Sequence, residues 1–360
     1  MGRNLTYKSI NIYLHDTEMH DKFIYEEIIP LQNSILSESG INNFVLRHWR
    51  KGHHIQWHIE INDKFNNKAL QNLLQILNRN IGNYTAKNSL SEESLKKQYL
   101  MLRDFEMEVG EIFPIENDTS IKVSDSKFRD DIWGEKGIES LISYYVTTNS
   151  QVMKLINKPT NYKYRASLNM FLAAINALGD VKRHQLSFRS HAEAFLNRFD
   201  KGDKLREQFE YIYTSNKSSL RTLMKIHSNE DVFIEWKKIF KDLIMKNEKY
   251  LENGDLSLPE ADTYMKIIKE NNWDNGYEGS LSDFHKYLNE KQEFEDITKS
   301  TNFKTKRLVL NFLYNTLAQI GIKPVEKFSM CYAISRYYEE ELGIEWKEQL
   351  DNVIHRLEVK

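Results

Sequence analysis

Apolar and polar positions alternate with a period of two over Ile10–His15, which predicts a strand, and Phe44–Trp49 and Ile55–Ile61 read as two further strands. Between the first and second, Asp21–Ser39 has the apolar spacing of an amphipathic helix. Arg50-Lys51-Gly52-His53 joins the second and third strands, and a link this short that contains glycine predicts an antiparallel hairpin. Thr119–Val123 is expected to join the same sheet. Beyond residue 66 the period changes to that of helices, over Asn67–Asn80, Ser91–Glu108, Glu135–Asn157, Tyr164–Leu178 and Arg189–Arg198. It continues over Lys204–Thr214, Ser218–Ile226, Val232–Asn247, Pro259–Asn271, Arg307–Ile320 and Pro324–Leu342. Ser91 is the expected N-cap of its helix. Asn272-Trp-Asp-Asn-Gly276 reads as a break, and Val353–Lys360 as a charged tail. With no repeat and no low-complexity linker, the pattern predicts one α+β domain over residues 1–360. A small, mostly antiparallel sheet lies in 1–130 and packs with a large helical region in 131–360.

Composition sharpens this picture in three places. Only 14 Gly and 5 Pro occur in 360 residues, which disfavours a Gly-rich nucleotide-binding fold and a turn-dense all-β one. Fifty basic residues against 52 acidic ones provide no cationic field for nucleic acid. A single cysteine excludes a disulfide framework, a thiolate zinc site and an iron–sulfur cluster. There is no 18-residue apolar run and no signal-peptide core in the first residues, so a soluble, cytoplasmic chain without membrane contact is expected. Aromatics make up 12%, with 19 Tyr and 18 Phe, a composition suited to aromatic-lined grooves.

The common catalytic signatures (GxGxxG, GxxxxGK[ST], HExxH, GxSxG and the EF-hand loop) are absent. Cys331, within Phe328-Ser-Met-Cys-Tyr-Ala-Ile, reads as a buried structural thiol. The densest polar and aromatic patch is Arg47–His58, which holds four of the 11 histidines. Strand alternation spreads these side chains over two faces and a turn. His54, Gln56 and His58 share one face and Ile55, Trp57 and Ile59 the other, so no metal site is expected. That polar face either lines a substrate groove, with Arg47 and His54 donating to peptide carbonyls, or is simply solvated. Asp104 and Glu108 are four apart, a spacing that lets them share a helix face, while Glu106 points towards the side of Leu102; by default all three are surface charges. Trp133 precedes Gly134 in a polar loop whose glycine is accounted for by backbone demand. Arg307, Asn311 and Tyr314 stand at i, i+4 and i+7, a polar stripe on an otherwise apolar helix that should face a polar cavity.

Phe44-Val-Leu-Arg47-His-Trp-Arg-Lys-Gly52-His-His54-Ile-Gln56-Trp-His58 resembles the Phe-x-x-Arg-Tyr-x-x-x-Gly-x-His-x-Arg-x-Arg stretch of the lantibiotic dehydratase C-terminal family. That family also occurs as free-standing thiopeptide-type bacteriocin biosynthesis proteins. One branch eliminates glutamate to make dehydroamino acids; another, the thiopeptide pyridine synthases, carries out a formal [4+2] cycloaddition that closes a macrocycle. Gln56 and His58 replace the two arginines of the eliminating branch. In its late His-Met…Asn-Arg-Leu-Gly element, Tyr314 replaces the histidine and Ala318 and Gln319 replace the Asn-Arg pair. Arg307–Tyr332 is similar to the synthase branch's C-terminal block, and Asn117-Asp-Thr-Ser-Ile, Asp131-Ile-Trp-Gly134 and Ser282-Asp-Phe-His285 also match that branch.

The resemblance implies an α+β fold and no metal or organic cofactor. It implies a modified precursor peptide as partner, carrying a leader, azoles and two dehydroalanines, with a homodimer or a contact with a dehydratase as further partners. One dehydroalanine with its amide would tautomerise to a 2-azadiene and add across the second. Loss of water and then of the leader as an amide would leave a pyridine. On this reading Tyr314 protonates or orients the reacting amide oxygen, Glu106 is the base and His285 a proton shuttle. Arg47, His54, Asn311, Trp133 and Arg307 bind substrate, and the Ile10–His15 strand offers an edge to the leader. The alternatives are a glutamate-eliminating partner of a split dehydratase and a non-catalytic precursor-binding subunit.

Overall fold

The computed structural model describes residues 6–37, 39–86, 92–106, 108–200, 202–256, 258, 270, 281–291 and 293–358. The chain divides into two compact units. One contains Met1–Pro159 and takes in Ala318–Gly321; the other contains Thr160–Leu258, Gly276–Leu317 and Ile322–Lys360.

The first unit is built on a four-stranded sheet: β1 (Thr6–Tyr13), β2 (Asn43–His48), β3 (His54–Ile61) and β4 (Ser120–Asp125). The strand order is β2-β3-β1-β4 and every neighbouring pair is antiparallel. The expected hairpin and the additional strand near residue 120 are therefore both present. The expectation that β1 offers a free edge is corrected, because β3 and β4 pair with it on its two sides. Register places Ile10, Val45 and Trp57 side by side on one face, where all three are buried. Phe44, His58 and Ser9 lie across from one another on the other face. The helix Asp130–Ile156 packs on β2, and its Tyr145 ring stacks on Phe44 at 5.1 Å.

Gly52 closes the hairpin at φ +119°, and a β-carbon there would come within 2.7 Å of His15 Nε2. Strain and clash coincide, so Gly52→Ala should lower stability by about 2 kcal/mol, seen as a Tm drop of roughly 4–8 °C. An unchanged melt would show that the turn relaxes freely.

Between β1 and β2 the predicted helix is present but irregular. The α-helical turns Glu18–Phe23 and Ile29–Leu31 alternate with wider π turns at Ile24–Ile28 and Gln32–Ser37. Pro30, which has no N–H for the helical ladder, sits in the middle of this run. Asn67–Asn80 is capped by Asn66, whose Oδ1 accepts from Lys68 N and Ala69 N at 3.0 and 3.2 Å. Gly134 adopts φ +62° and ψ 173° near the start of Asp130–Ile156, the backbone demand inferred for it.

The second unit is helical. Thr160–Ala177 packs on Asp231–Glu252, and both Leu186–Phe199 and Lys204–Ile226 pack on Pro324–Leu342. Its core includes Phe171, Phe188, Phe209, Trp236, Phe240 and Phe312. Two expectations are corrected here. Lys204–Ile226 is one helix rather than two: Ser215–Ser218 contains no Gly or Pro, and the polar side chains around it bond back to their own helix, as Thr214 Oγ1 does to Glu210 O and Asn216 Nδ2 to Ile212 O, both at 2.9 Å. The supposed tail is helical from Trp346 to Glu358, because Leu350, Val353 and Ile354 pack with Leu186, Phe284 and Leu288. The predicted Ser91 cap and the Asn272–Gly276 break lie outside the described residues, as does nearly all of Pro259–Asn271. Among the described residues no helix is long and apolar enough to cross a membrane.

Candidate functional site

The polar residues singled out in the sequence fall into two clusters, one in each unit. In the first unit the histidine-bearing sheet face is neither solvated nor an open groove. His54 and His58 are 3% and 1% exposed. His58 is stacked on Phe44 at 4.8 Å and shares a 2.7 Å hydrogen bond with Ser126 Oγ. His54 Nδ1 donates to Gly52 O at 2.7 Å, and its ring lies 4.7 Å from that of Tyr13. Burial pushes His54 down to about 4 and His58 to about 3, so both are neutral at physiological pH. Arg47 Nε donates to Gln319 O at 2.9 Å, and its guanidinium also pairs with Asp21. Gln319 Nε2 returns a bond to Val45 O at 2.9 Å. Arg47 and His54 therefore do donate to carbonyls, but to those of their own chain.

Beside the hairpin, Trp49 Nε1 donates to Glu106 Oε2 at 2.7 Å from the last residue of the helix Glu92–Glu106. Glu108 lies past that helix end, so helical spacing does not govern it. It is 7% exposed, accepts from Arg50 Nη1 at 2.9 Å and lies 3.8 Å from His48 Nε2. Helical periodicity could not single out Glu108, the more buried of the two carboxylates. Trp133 is half-buried, one residue before Gly134.

In the second unit, Thr301–Gln319 presents Arg307, Asn311 and Tyr314 as a partly accessible stripe between the buried Leu308, Val309, Leu310, Phe312 and Leu313. Tyr314 and His191 Nδ1 share a hydrogen bond, and Cys331 Sγ stands 3.6 Å from the phenol oxygen. Lys327 Nζ lies 4.5 Å above the Tyr314 ring. Burial holds the Tyr314 hydroxyl well above the usual phenol range, and Cys331 adds to this. Burial, then Lys327 and Lys306, push His191 down to about 3. Cys331 is buried and pushed up to about 12 by that burial, a thiol as expected. With phenol, imidazole and thiol all neutral, a single proton lies between the Tyr314 oxygen and His191.

His285 is held next to this pair by sequence adjacency. Its Nε2 meets Ser190 Oγ at 2.9 Å and its Nδ1 meets Ser282 Oγ at 2.6 Å. Ser190 and His191 are consecutive residues of the Leu186–Phe199 helix, so one helix holds Tyr314 and His285. Neither Ser190 nor His191 stands out in the sequence. The available signal was the polar run Arg189-Ser190-His191 at the start of a predicted helix. Among the described residues no group of three or more His, Cys, Asp or Glu side chains is placed to share a metal ion.

Two solved structures share this fold. One is the pyridine synthase TbtD from thiomuracin biosynthesis, at TM-score 0.70 and 17% identity, covering 95% of this chain and 100% of that one. The other is TsrL, at TM-score 0.67 and 12% identity, covering 95% of this chain and 97% of that one. No curated protein sequence matches the chain. The family model for the C-terminal part of lantibiotic biosynthesis dehydratases matches residues 8–338. A match over nearly the whole length, on a fold shared with both of those structures, places the chain: it belongs to the lantibiotic biosynthesis dehydratase C-terminal family.

Proposed function

We propose that this protein is a thiopeptide pyridine synthase, an enzyme that joins two dehydroalanines of a leader-bearing, azole-containing peptide in a formal [4+2] cycloaddition. Water and then the leader, as an amide, are lost to leave the pyridine and its macrocycle. The observation that carries this reading is the hydrogen bond that pairs Tyr314 with His191 beside Cys331. Turning an amide into its iminol tautomer requires a proton delivered to oxygen and another removed from nitrogen. A phenol delivers a proton to that oxygen and is restored by the proton released from nitrogen, while a neutral imidazole bonded to it keeps the hydroxyl aimed. By the resemblance, the eliminating alternative needs cationic and acid–base groups in the elements where this chain carries Gln56, His58, Tyr314, Ala318 and Gln319.

In this mechanism Tyr314 gives its proton to the reacting amide oxygen, His191 orients the phenol through their shared hydrogen bond, and the proton released from nitrogen returns to the phenolate to reset the pair. A carboxylate is the natural base for the proton on nitrogen, the role that the resemblance gives to Glu106, and His285 serves proton transfer during loss of water. Arg307, Asn311 and Trp133 contact the peptide. Arg47 and His54, whose bonds are spent within the chain, hold the hairpin and the Gln319 turn in shape. Holding two alkenes in contact supplies several kcal/mol of the barrier, up to about 7–11.

The purified protein, mixed with a bis-dehydroalanine azole peptide bearing its leader, should yield a product lighter by one water and the leader amide, with the free leader amide seen by mass spectrometry. Binding without a mass change would leave a presenting subunit, and glutamate released from a glutamylated peptide would leave an eliminase.

A further inference from the structure

Ser190 and His191, which reach His285 and Tyr314, are bracketed on their helix by Arg189 and Glu193, and these two are tied to two other helices. Arg206 of Lys204–Ile226 donates twice to Glu193, Nη1 to Oε1 at 3.0 Å and Nη2 to Oε2 at 2.7 Å. Arg189 Nε lies 3.0 Å from Glu193 Oε1, and its Nη1 donates to Glu339 Oε1 at 2.6 Å. Glu339, on Pro324–Leu342, takes Arg336 Nη1 at 2.6 Å. Arg336 Nε and the Tyr332 hydroxyl both reach Glu210 Oε2, at 3.1 and 2.6 Å, which returns the network to Lys204–Ile226. The side chains of Arg189, Glu193 and Glu339 are only 11%, 8% and 11% exposed.

Buried charges lose their hydration, and apolar side chains of similar volume usually hold helices together as well or better. Such a network contributes direction instead: forked guanidinium–carboxylate pairs fix angles that apolar packing leaves free. We propose that Glu193 is a positioning residue, whose clamp fixes the rotation of the Leu186–Phe199 helix so that Ser190 aims at His285 and His191 at Tyr314. This deepens the synthase reading and rests on it for the proton roles of Tyr314 and His285.

The same carboxylate sets the charge that His285 experiences. His285 bonds Ser282 beside its own short helix and Ser190 on the helix packed against it, where His191 and Glu193 also interact with it. Asp283 and Lys286 of its own helix pair with each other at 3.2 Å and are exposed, and Tyr287 donates to Asp351 of the packed Trp346–Glu358 helix at 2.7 Å. Burial lowers His285 and Glu193 opposes that fall. For Glu193 itself, burial pushes the carboxyl up, but Arg206 and Arg189 outweigh this and keep it ionised.

The experiment follows the His285 imidazole by nitrogen-15 NMR over pH, beside kcat and KM for ring closure. In Glu193→Gln, His285 should titrate at a lower pH than in the native protein, and kcat should fall about 10-fold or more with KM almost unchanged. Glu193→Asp should restore the titration and most of kcat. Arg206→Gln leaves Glu193 with Arg189 alone, so His285 should titrate at a higher pH while kcat still falls; this variant also serves if Glu193→Gln does not fold. Losses that track only the folded fraction, with His285 titrating as in the native chain in both variants, would overturn the proposal. The NMR result stands even if the native protein closes no ring, so failure of this inference and failure of the synthase reading are separable.

Discussion

A Tyr314→Phe protein is expected to close the ring about 10²–10⁴-fold more slowly, through kcat rather than KM, because a general acid is lost while the peptide-binding surface is kept. The substitution removes one oxygen from a packed ring. Phe171 and Phe328, at 6.1 and 6.4 Å between ring centres, and the Lys327 ammonium 4.5 Å above the ring all retain their contact surface. What is lost locally is the partner of His191 Nδ1 and the neighbour of Cys331 Sγ. Leaving a buried acceptor unpaired costs about 1–3 kcal/mol, so a modest fall in Tm should accompany the kinetic loss. Single-turnover kinetics on the bis-dehydroalanine peptide, read beside a melt, separates the two effects. Full-rate closure by the variant would take Tyr314 out of the chemistry.

The second large effect is on stability against pH. His20, His54 and His58 are 2%, 3% and 1% exposed, and burial pushes them down to about 3, 4 and 3. His20 Nε2 donates to Leu14 O at 2.8 Å, so its neutral ring is built into the fold. Above pH about 6.5 neither the folded nor the unfolded chain protonates these rings, and they leave stability level. As pH falls through 6.5 the unfolded chain takes up protons that the folded chain cannot, so stability drops. The drop continues until the folded-state values near 3–4 are reached, below which it levels off. At pH 5 each of the three rings should cost about 2 kcal/mol, or about 6 in all. Urea titrations at pH 7 and pH 5, followed by fluorescence, would measure it, since Trp49 and Trp57 lie in the same unit as the three histidines. Equal midpoints at the two pH values would mean that the rings are already charged, or are solvated, in the folded protein.

Local spacing was sufficient for most elements. The three stretches read as strands became β1, β2 and β3, and the helices Asn67–Asn80 and Pro324–Leu342 have the bounds that the pattern predicts. Where it failed, the cause was not local. The charged end of the chain became helical because three apolar residues found a surface in Leu186, Phe284 and Leu288, far from them in sequence. The histidine face read as polar, since alternation shows which side chains share a face; the helix that covers β2 was not part of that pattern.

By itself, the sequence determined that the chain is α+β with an early antiparallel hairpin, that Arg307, Asn311 and Tyr314 share a helix face, and that Cys331 is buried, because residue spacing decides direction along a strand or helix. Only the tertiary structure decided that Tyr314 meets His191 across 123 positions, that Arg47 is engaged by Gln319 across 272, and that Glu193 is clamped between two arginines. The physical reason is that a side chain's direction is a property of its own backbone, whereas its partner, burial and charge state depend on segments brought together by packing, and no periodicity encodes these.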